Sequence, residues 1–449
     1  MKSLFLAALA TLAAGTALAD ETVFPARLAA HAILPGNTII AAPADAPAYI
    51  QTSAKFLKLG VPRVDAVGSV AGMDGKRPTG LATPFAGQPM QGFSGIKAMD
   101  DGTFWSLSDN GFGSKANSSD AALMIHHLAF DWDKGTVTPV TTIFLSDPDR
   151  IAPFPIVLEG SDSRYLTGAD FDIESIQPVA DGFWIGDELG PYVLKFNPEG
   201  QLQAVYDTLA DGKPVRSPDN PALSLPNPGG KMPTYNLPRS GGYEGMAISP
   251  DGAHLYALLE KPLVGEDGKP ETVDGHEALR VLEFDTAKAD WTGRFWFYPL
   301  SDGGTNIGDF NMIDATTGLI IERDGGEGDP ALACADSSKD ATDCFAHPAL
   351  HKRIYKIEMT DENANGAARK IGYIDLMNIA DPDGLARQGG ADGIYTMPFV
   401  TIENVDVIDP THIIVGNDNN LPFSAGRKLD AVDNNEFVIL DVADFLNAK

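Results

Sequence analysis

The sequence predicts an all-β chain folded as a β-propeller, with five or six four-stranded blades around a central channel and the ring closed by an N-terminal strand. Three observations lead there. Short apolar runs flank turn chemistry, as in residues 246–249 and 255–259 around Pro250-Asp251-Gly252, the pattern of a β-hairpin with Gly available for positive φ. The same hairpin recurs five times, roughly 65 to 95 residues apart, and such a period signifies repeated supersecondary units. Amphipathic helical patterns are scarce, while 46 Gly and 32 Pro punctuate the chain as many short strands require.

From the start of the chain, Lys2 precedes an apolar run over residues 4–14 and then Ala17-Leu18-Ala19. This is the layout of a secretory leader with a small-residue cleavage site, too short to span a bilayer. The expectation is a leader over residues 1–19 and one domain over 20–449, exported to the periplasm or beyond and not inserted in a membrane. Residues 23–92 leave room for a sixth blade. Only residues 442–447 and part of 26–32 could hold a turn or two of helix.

The first repeat opens at Ser94-Gly95-Ile96, turns at Asp101-Gly102 and ends on Asp109-Asn110. Its outer strands fall at 123–130 and 137–144. The second opens at Glu174, turns at Asp181-Gly182 and ends on Asp187-Glu188, with outer strands at 192–196 and 203–206. The third runs from Glu244 to Glu260-Lys261, with outer strands at 279–284 and 295–298. The fourth opens at Asp309-Phe310-Asn311 and ends on Glu322-Arg323-Asp324, with outer strands at 353–358 and 370–374. The fifth opens at Glu403, turns at Asp409-Pro410 and ends on Asn417-Asp418. After it comes only the run 436–440, so its blade is one strand short, and residues 63–70 are the expected closing strand that removes the exposed edge. Residues 213–239 and 381–397 read as Pro/Gly-rich loops over one face.

Cys334 and Cys344 are the two cysteines. In an exported chain a pair so close in sequence reads as a structural disulfide pinning a surface loop. A thiol metal site is the rival reading, disfavoured because no second Cys/His pair has ligand spacing. His347 and His351 are i, i+4, but Pro348 argues against a regular helix there, and both read as surface residues.

The formal charge is −29, becoming −30 once Lys2 leaves with the leader. Such a field repels nucleic acid and anionic membranes. It also opposes a phosphate substrate unless bound cations reverse the sign locally.

In an antiparallel pair, the residues just before the first strand and just after the second are neighbours. Every repeat therefore carries acids or amides at its open end, and in a propeller those ends converge on one channel mouth. Acids beside strand ends are ordinary turn residues one at a time; five-fold recurrence sets these apart. Asp109, Asn110, Glu174, Asp187, Glu188, Glu244, Glu260, Glu322, Glu403, Asn417 and Asp418 are the candidate metal ligands. Carboxylates in such number raise one another's pKa unless cations intervene. Oxygen donors without clustered His favour Ca²⁺ over Zn²⁺. Arg239 and Arg323 are candidate anion-binding cations for the same mouth, while Lys261 reads as a partner for Glu260. No nucleophile elbow, His-Glu-x-x-His helix, P-loop or dinucleotide Gly fingerprint is present.

Phe93-Ser94-Gly95-Ile96 with Trp105-Ser106-Leu107-Ser108-Asp109-Asn110-Gly111, Ile173-Glu174-Ser175-Ile176 with Gly186-Asp187-Glu188-Leu189-Gly190-Pro191, Tyr243-Glu244-Gly245-Met246-Ala247 with Leu258-Leu259-Glu260, and Ile320-Ile321-Glu322-Arg323-Asp324 together resemble the bacterial "esterase-like activity of phytase" family of phytase-like proteins. The resemblance spans roughly residues 90 to 420, a stretch long enough to hold all five repeats. It implies a propeller whose repeated Glu and Asp residues mark a site acting on phosphate esters. Ser94 and Asp309-Phe310-Asn311 depart from the Glu-Gly pattern of the other repeats, so those two blades need not contribute equally.

The leading functional expectation is a Ca²⁺-dependent phosphoric ester hydrolase taking a small-molecule phosphoester. Glu244 or Glu174 would orient or deprotonate the attacking water, and Arg239 and Arg323 would take the developing charge. Two alternatives stay open: a non-catalytic periplasmic propeller that binds a small ligand or protein, and a Ca²⁺-dependent lactonase or carboxylesterase.

Overall fold

The computed structural model describes residues 21–57, 63–223, 227–231, 233–338 and 342–449. The expected leader over residues 1–19 lies outside the described residues. The fold is a β-propeller built from successive antiparallel sheets. The first sheet runs Phe93–Ala98, Phe104–Ser108, Met124–Asp131, Thr136–Phe144 from inside to outside, and the second Ile173–Val179, Gly182–Asp187, Tyr192–Phe196, Leu202–Asp207. The third runs Tyr243–Ile248, His254–Leu259, His276–Asp285, Asp290–Pro299, and the fourth Asn306–Met312, Thr317–Arg323, Lys352–Glu358, Arg369–Asp375. In the fifth, Ile402–Asp409, His412–Asn417 and Asn435–Asp441 are followed by Arg27–Leu34 from the N-terminus.

That last pairing corrects two expectations. Residues 27–32 are strand rather than helix, and the strand beside Asn435–Asp441 is Arg27–Leu34, with Leu34 opposite Asn435 and Arg27 opposite Asp441. It is not residues 63–70, because Val70–Asp74 instead forms a separate hairpin with Arg77–Thr83. The strand is buried on both faces: Leu28 joins the cluster between the fourth and fifth sheets, Ala32 and Leu34 join the one between the fifth and first, and His31 is buried against Glu436. Residues 23–92 form no four-stranded sheet of their own among the described residues. The helical turn at Ala443–Asn447 is present.

The five inner strands touch one another in cyclic order, the fifth returning to the first. Each neighbouring pair of sheets encloses its own apolar cluster. Leu107 and Ile125 pack on Ile176 and Ile185; Trp184 and Val193 on Met246 and Leu255; Leu258 and Val281 on Phe310 and Ile320. Leu319 and Ile354 pack on Val405 and Ile413, and Ile414 and Phe437 on Ile96 and Phe104. Each such fully buried side chain stabilises by roughly 1.5–3 kcal/mol. Close approach of the inner strands needs glycine: a Cβ on Gly245 would stand 2.7 Å from the Phe310 Cβ, and one on Gly308 2.3 Å from the Ile402 carbonyl oxygen.

The ring axis is filled midway by a polar network. The buried Asp309 carboxylate accepts the backbone N–H groups of Ile96 at 3.2 Å and Val405 at 3.0 Å, while Asn311 donates to the carbonyls of the same two residues. Gln177 donates to the Met246 carbonyl and to Asn311, and Lys97 bridges Asn311 and Asp406. All five inner strands are thus tied to one another, and the fourth repeat's departure from Glu-Gly has a structural use. The Cys334–Cys344 disulfide is formed, Cα to Cα 5.0 Å.

Candidate metal centre at the channel mouth

A cup of about 240 Å³ opens where the hairpin ends converge, with side chains from all five sheets on its wall. Bulges in the inner strands put them there. The pairing register skips one residue between Ile173 and Ser175, between Tyr243 and Gly245, and between Ile402 and Asn404. The residues skipped are Glu174, Glu244 and Glu403. An unpaired bulge residue is freed from the alternation of the strand and re-aimed, so three blades deliver a carboxylate to the same point by the same device.

Eight carboxylates line the cup: Asp109, Asp172, Glu174, Glu188, Glu244, Glu260, Glu403 and Asp418, against the cations Arg323 and Lys261. Asp172, Glu174 and Glu188 can each bring an oxygen within 4.8 Å of the other two. None of these three makes an ion pair among the described residues. Opposite them, the buried Arg323 guanidinium lies 3.0 Å from Glu403 and 3.5 Å from both Glu244 and Glu260. Lys261 pairs with Glu260 at 3.6 Å.

The electrostatic result is proton retention. Burial, reinforced by Asp172, Glu244 and their neighbours, pushes Glu174 well above the usual carboxylate range, and the same causes raise Glu188, Glu244 and Asp109. Burial raises Asp172 too, against the pull of its hydrogen bonds. Asp418 is pushed up to about 8 by burial and by Glu403. Protons held by crowded oxygens are what a hard divalent cation displaces. The triad offers oxygen donors alone, and no His or Cys lines the cup among the described residues, so the residues present fit a hard divalent cation.

Not every predicted ligand offers a free oxygen to the cup. The Asn110 side-chain oxygen is taken by the N–H groups of Phe112 and Gly113 and by the Ser118 hydroxyl, while its amide nitrogen donates to Asp172 at 2.6 Å. Asn110 lines the cup with its oxygen already occupied and its amide nitrogen holding the Asp172 carboxylate. Asp187 accepts the N–H groups of Asp172 and Gly190 and fixes that loop from behind. Asn417 accepts the Glu436 N–H and donates to two carbonyls. Glu322 points away from the cup to Lys370, His351 and Tyr298, which hold its carboxyl down at about 2 despite burial. His351, expected at the surface, is buried beside it. Arg239 is exposed and paired with Asp219.

Asp172 was not among the sequence candidates. It stands two residues before Glu174, outside the strand-end positions that the repeats align, and only the Asp-x-Glu spacing at 172–174 could have signalled it.

A family description, Phytase-like: Esterase-like activity of phytase, matches residues 88–421. The chain belongs to the Phytase-like family. The matched span contains every carboxylate of the cup and excludes the N-terminal strand of the fifth sheet. An uncharacterized secreted protein of Arthroderma benhamiae is 37% identical to this Phytase-like chain over 126 residues, 25% of this chain and 24% of the relative, about a quarter of that protein's length. Among solved structures, the periplasmic gluconolactonase of Pseudomonas aeruginosa is similar at 11% identity and TM-score 0.31, over 83% of this chain and 98% of that one. The aldose sugar dehydrogenase of Streptomyces coelicolor is similar at 11% identity and TM-score 0.29, over 78% and 94%. Likenesses this distant say nothing of chemistry.

Proposed function

We propose that the protein is an exported ester hydrolase that depends on a divalent cation, Ca²⁺ by preference, and works at the acidic cup. The observation that carries this reading is the buried Asp172, Glu174 and Glu188 triad, crowded within 4.8 Å with no cationic partner among the described residues. Those three would hold the cation, which when bound supplies charge to polarise an ester oxygen. Glu244, raised well above its usual range and facing the triad across the cup, is the group proposed to hold and move a proton. Arg323 keeps Glu244, Glu260 and Glu403 in place and neutralises part of their charge.

Charge decides the preferred substrate class. Once a divalent cation has displaced the protons, eight carboxylates against that ion, Arg323 and Lys261 leave a net negative wall that repels a phosphate dianion, whereas a neutral carboxylic ester or lactone enters without that penalty. A phosphoester is the second reading, supported by Asp109 and Asp418, two further neighbouring acids in the same cup where a second cation would help reverse the sign. The same proposal takes the ring as five-bladed, sealed by Arg27–Leu34, with the chain after its leader forming a single domain in the periplasm or outside the cell.

The test is turnover by the purified mature protein of 4-nitrophenyl acetate, a γ-lactone and 4-nitrophenyl phosphate, each with Ca²⁺ and with EGTA. We expect chelator-sensitive hydrolysis of the first two. Phosphate ester turnover alone would select the second reading. Tight Ca²⁺ binding without turnover of any of the three would replace both with a binding propeller.

A further inference from the structure

A larger pocket, of about 840 Å³, lies at the outer edge of the seam between the third and fourth sheets, away from the cup. That volume is in the range of small-molecule sites. Its walls are divided. Val273, Leu300 and Ile371 make one part apolar, and Arg353, Tyr355 and Lys370 make the other a donor-rich head. Into that head the chain inserts a carboxylate of its own: Glu21 accepts the Tyr355 hydroxyl at 2.6 Å, the Ser301 hydroxyl at 2.7 Å and Arg353 at 3.4 Å.

Asp274, His276 and Asp302 also line the pocket, with His276 lying 3.8 Å from Asp302. Lys370 is already matched by the buried Glu322 at 2.8 Å. Arg353, laid over the Tyr373 ring at 4.0 Å, has Glu21 as its carboxylate partner among the described residues. Removing Glu21 would therefore leave a fixed guanidinium and two hydroxyl donors at one end of an apolar cavity, a geometry suited to a carboxylate.

We infer that this pocket is a second ligand site, for a small carboxylic acid with an apolar body, and that Glu21 is its tethered competitor. The external acid and Glu21 use the same donors, so each weakens the other. An acid that enters also loosens the N-terminal segment, where Val23 and Phe24 pair with Tyr373 and Ile374 beside the pocket.

The experiment is calorimetric titration of the mature protein with octanoate and benzoate, with octanol as the uncharged control, all in EGTA so that the cup takes no part. Glu21→Ala is expected to bind at least one of the two acids about ten-fold more tightly than the wild type. Arg353→Met and Tyr355→Phe, each built in the Glu21→Ala background, are expected to lose about ten-fold of that affinity, and octanol to bind none of the variants measurably. Tyr355→Phe removes a single hydroxyl and keeps the test decisive if Arg353→Met does not fold. Absence of saturable binding to Glu21→Ala, or binding unaffected by Tyr355→Phe, would overturn the assignment.

Discussion

Arg323 is a buried guanidinium shared by three carboxylates of the cup, and removing one side of such a set strands the other without a counter-charge. Truncating one partner of a buried pair costs about 3–5 kcal/mol. Arg323→Gln is therefore expected to lower stability in urea unfolding by about that amount in EGTA, and by less in Ca²⁺. Asn110→Ala acts through Asp172, whose carboxylate loses its amide donor. Loss of an orienting partner typically weakens metal binding about 10–100-fold, measurable by Ca²⁺ titration, whereas Arg239→Ala on the exposed pair with Asp219 should leave affinity unchanged. At this scale the sequence made the acids legible because they recur at the open ends of the hairpins. It did not distinguish Glu174 from Glu322. Both flank a strand, but Glu174 is lifted out of alternation by a bulge, while Glu322 pairs in register with Ile307 and turns toward Lys370. Hydrophobic pattern does not encode that difference.

The hairpin is the element on which the cup depends, and its bulge sets the aim of the acid. Glu244→Gln leaves the bulge intact and is expected to fold with near wild-type stability in circular dichroism melts, while abolishing the proposed proton transfer. Gly245→Ala tests the neighbouring constraint, since its Cβ would meet Phe310 at 2.7 Å and force the third and fourth sheets apart. Overpacking of this kind costs about 1–3 kcal/mol, read as a lower unfolding midpoint. Turn residues announced three of the five hairpins well, because Asp-Gly and Pro-Asp-Gly between apolar runs have few other structural meanings; the fourth and fifth turn on Thr317-Gly318 and Asp409-Pro410. The strand beside Asn435–Asp441 was harder to see. Arg27–Leu34 is rich in Ala and carries Arg27 and His31, and what holds it is long-range, the His31 contact with Glu436 at 3.1 Å among others. Local propensity does not report such contacts.

For the whole molecule, the crowded acids make stability depend on pH and on cation together. Asp418, at about 8, and Glu174, Glu188, Glu244 and Asp109, all raised, hold protons in the folded state that the unfolded chain has released by neutral pH. Their contribution is complete below the ordinary carboxylate pKa near 4 and is lost as pH rises through the folded values. Glu322 and Glu436, held at about 2 by their cationic neighbours, have the opposite sign, their support failing only as pH falls toward 2. In EGTA the melting temperature is thus expected to decline from pH 5 to pH 9, and in Ca²⁺ to stay level over that interval. A decline of equal slope in both conditions would mean that the cation does not displace those protons.

The knot of Asp309, Asn311 and Gln177 across the axis gives the molecule the topology of a beaker rather than a pipe. Whatever reaches the acids must come and go by the same doorway. An alcohol and an acid formed from one ester would leave in turn past the next arrival, and the opposite face of the ring is left free of that traffic.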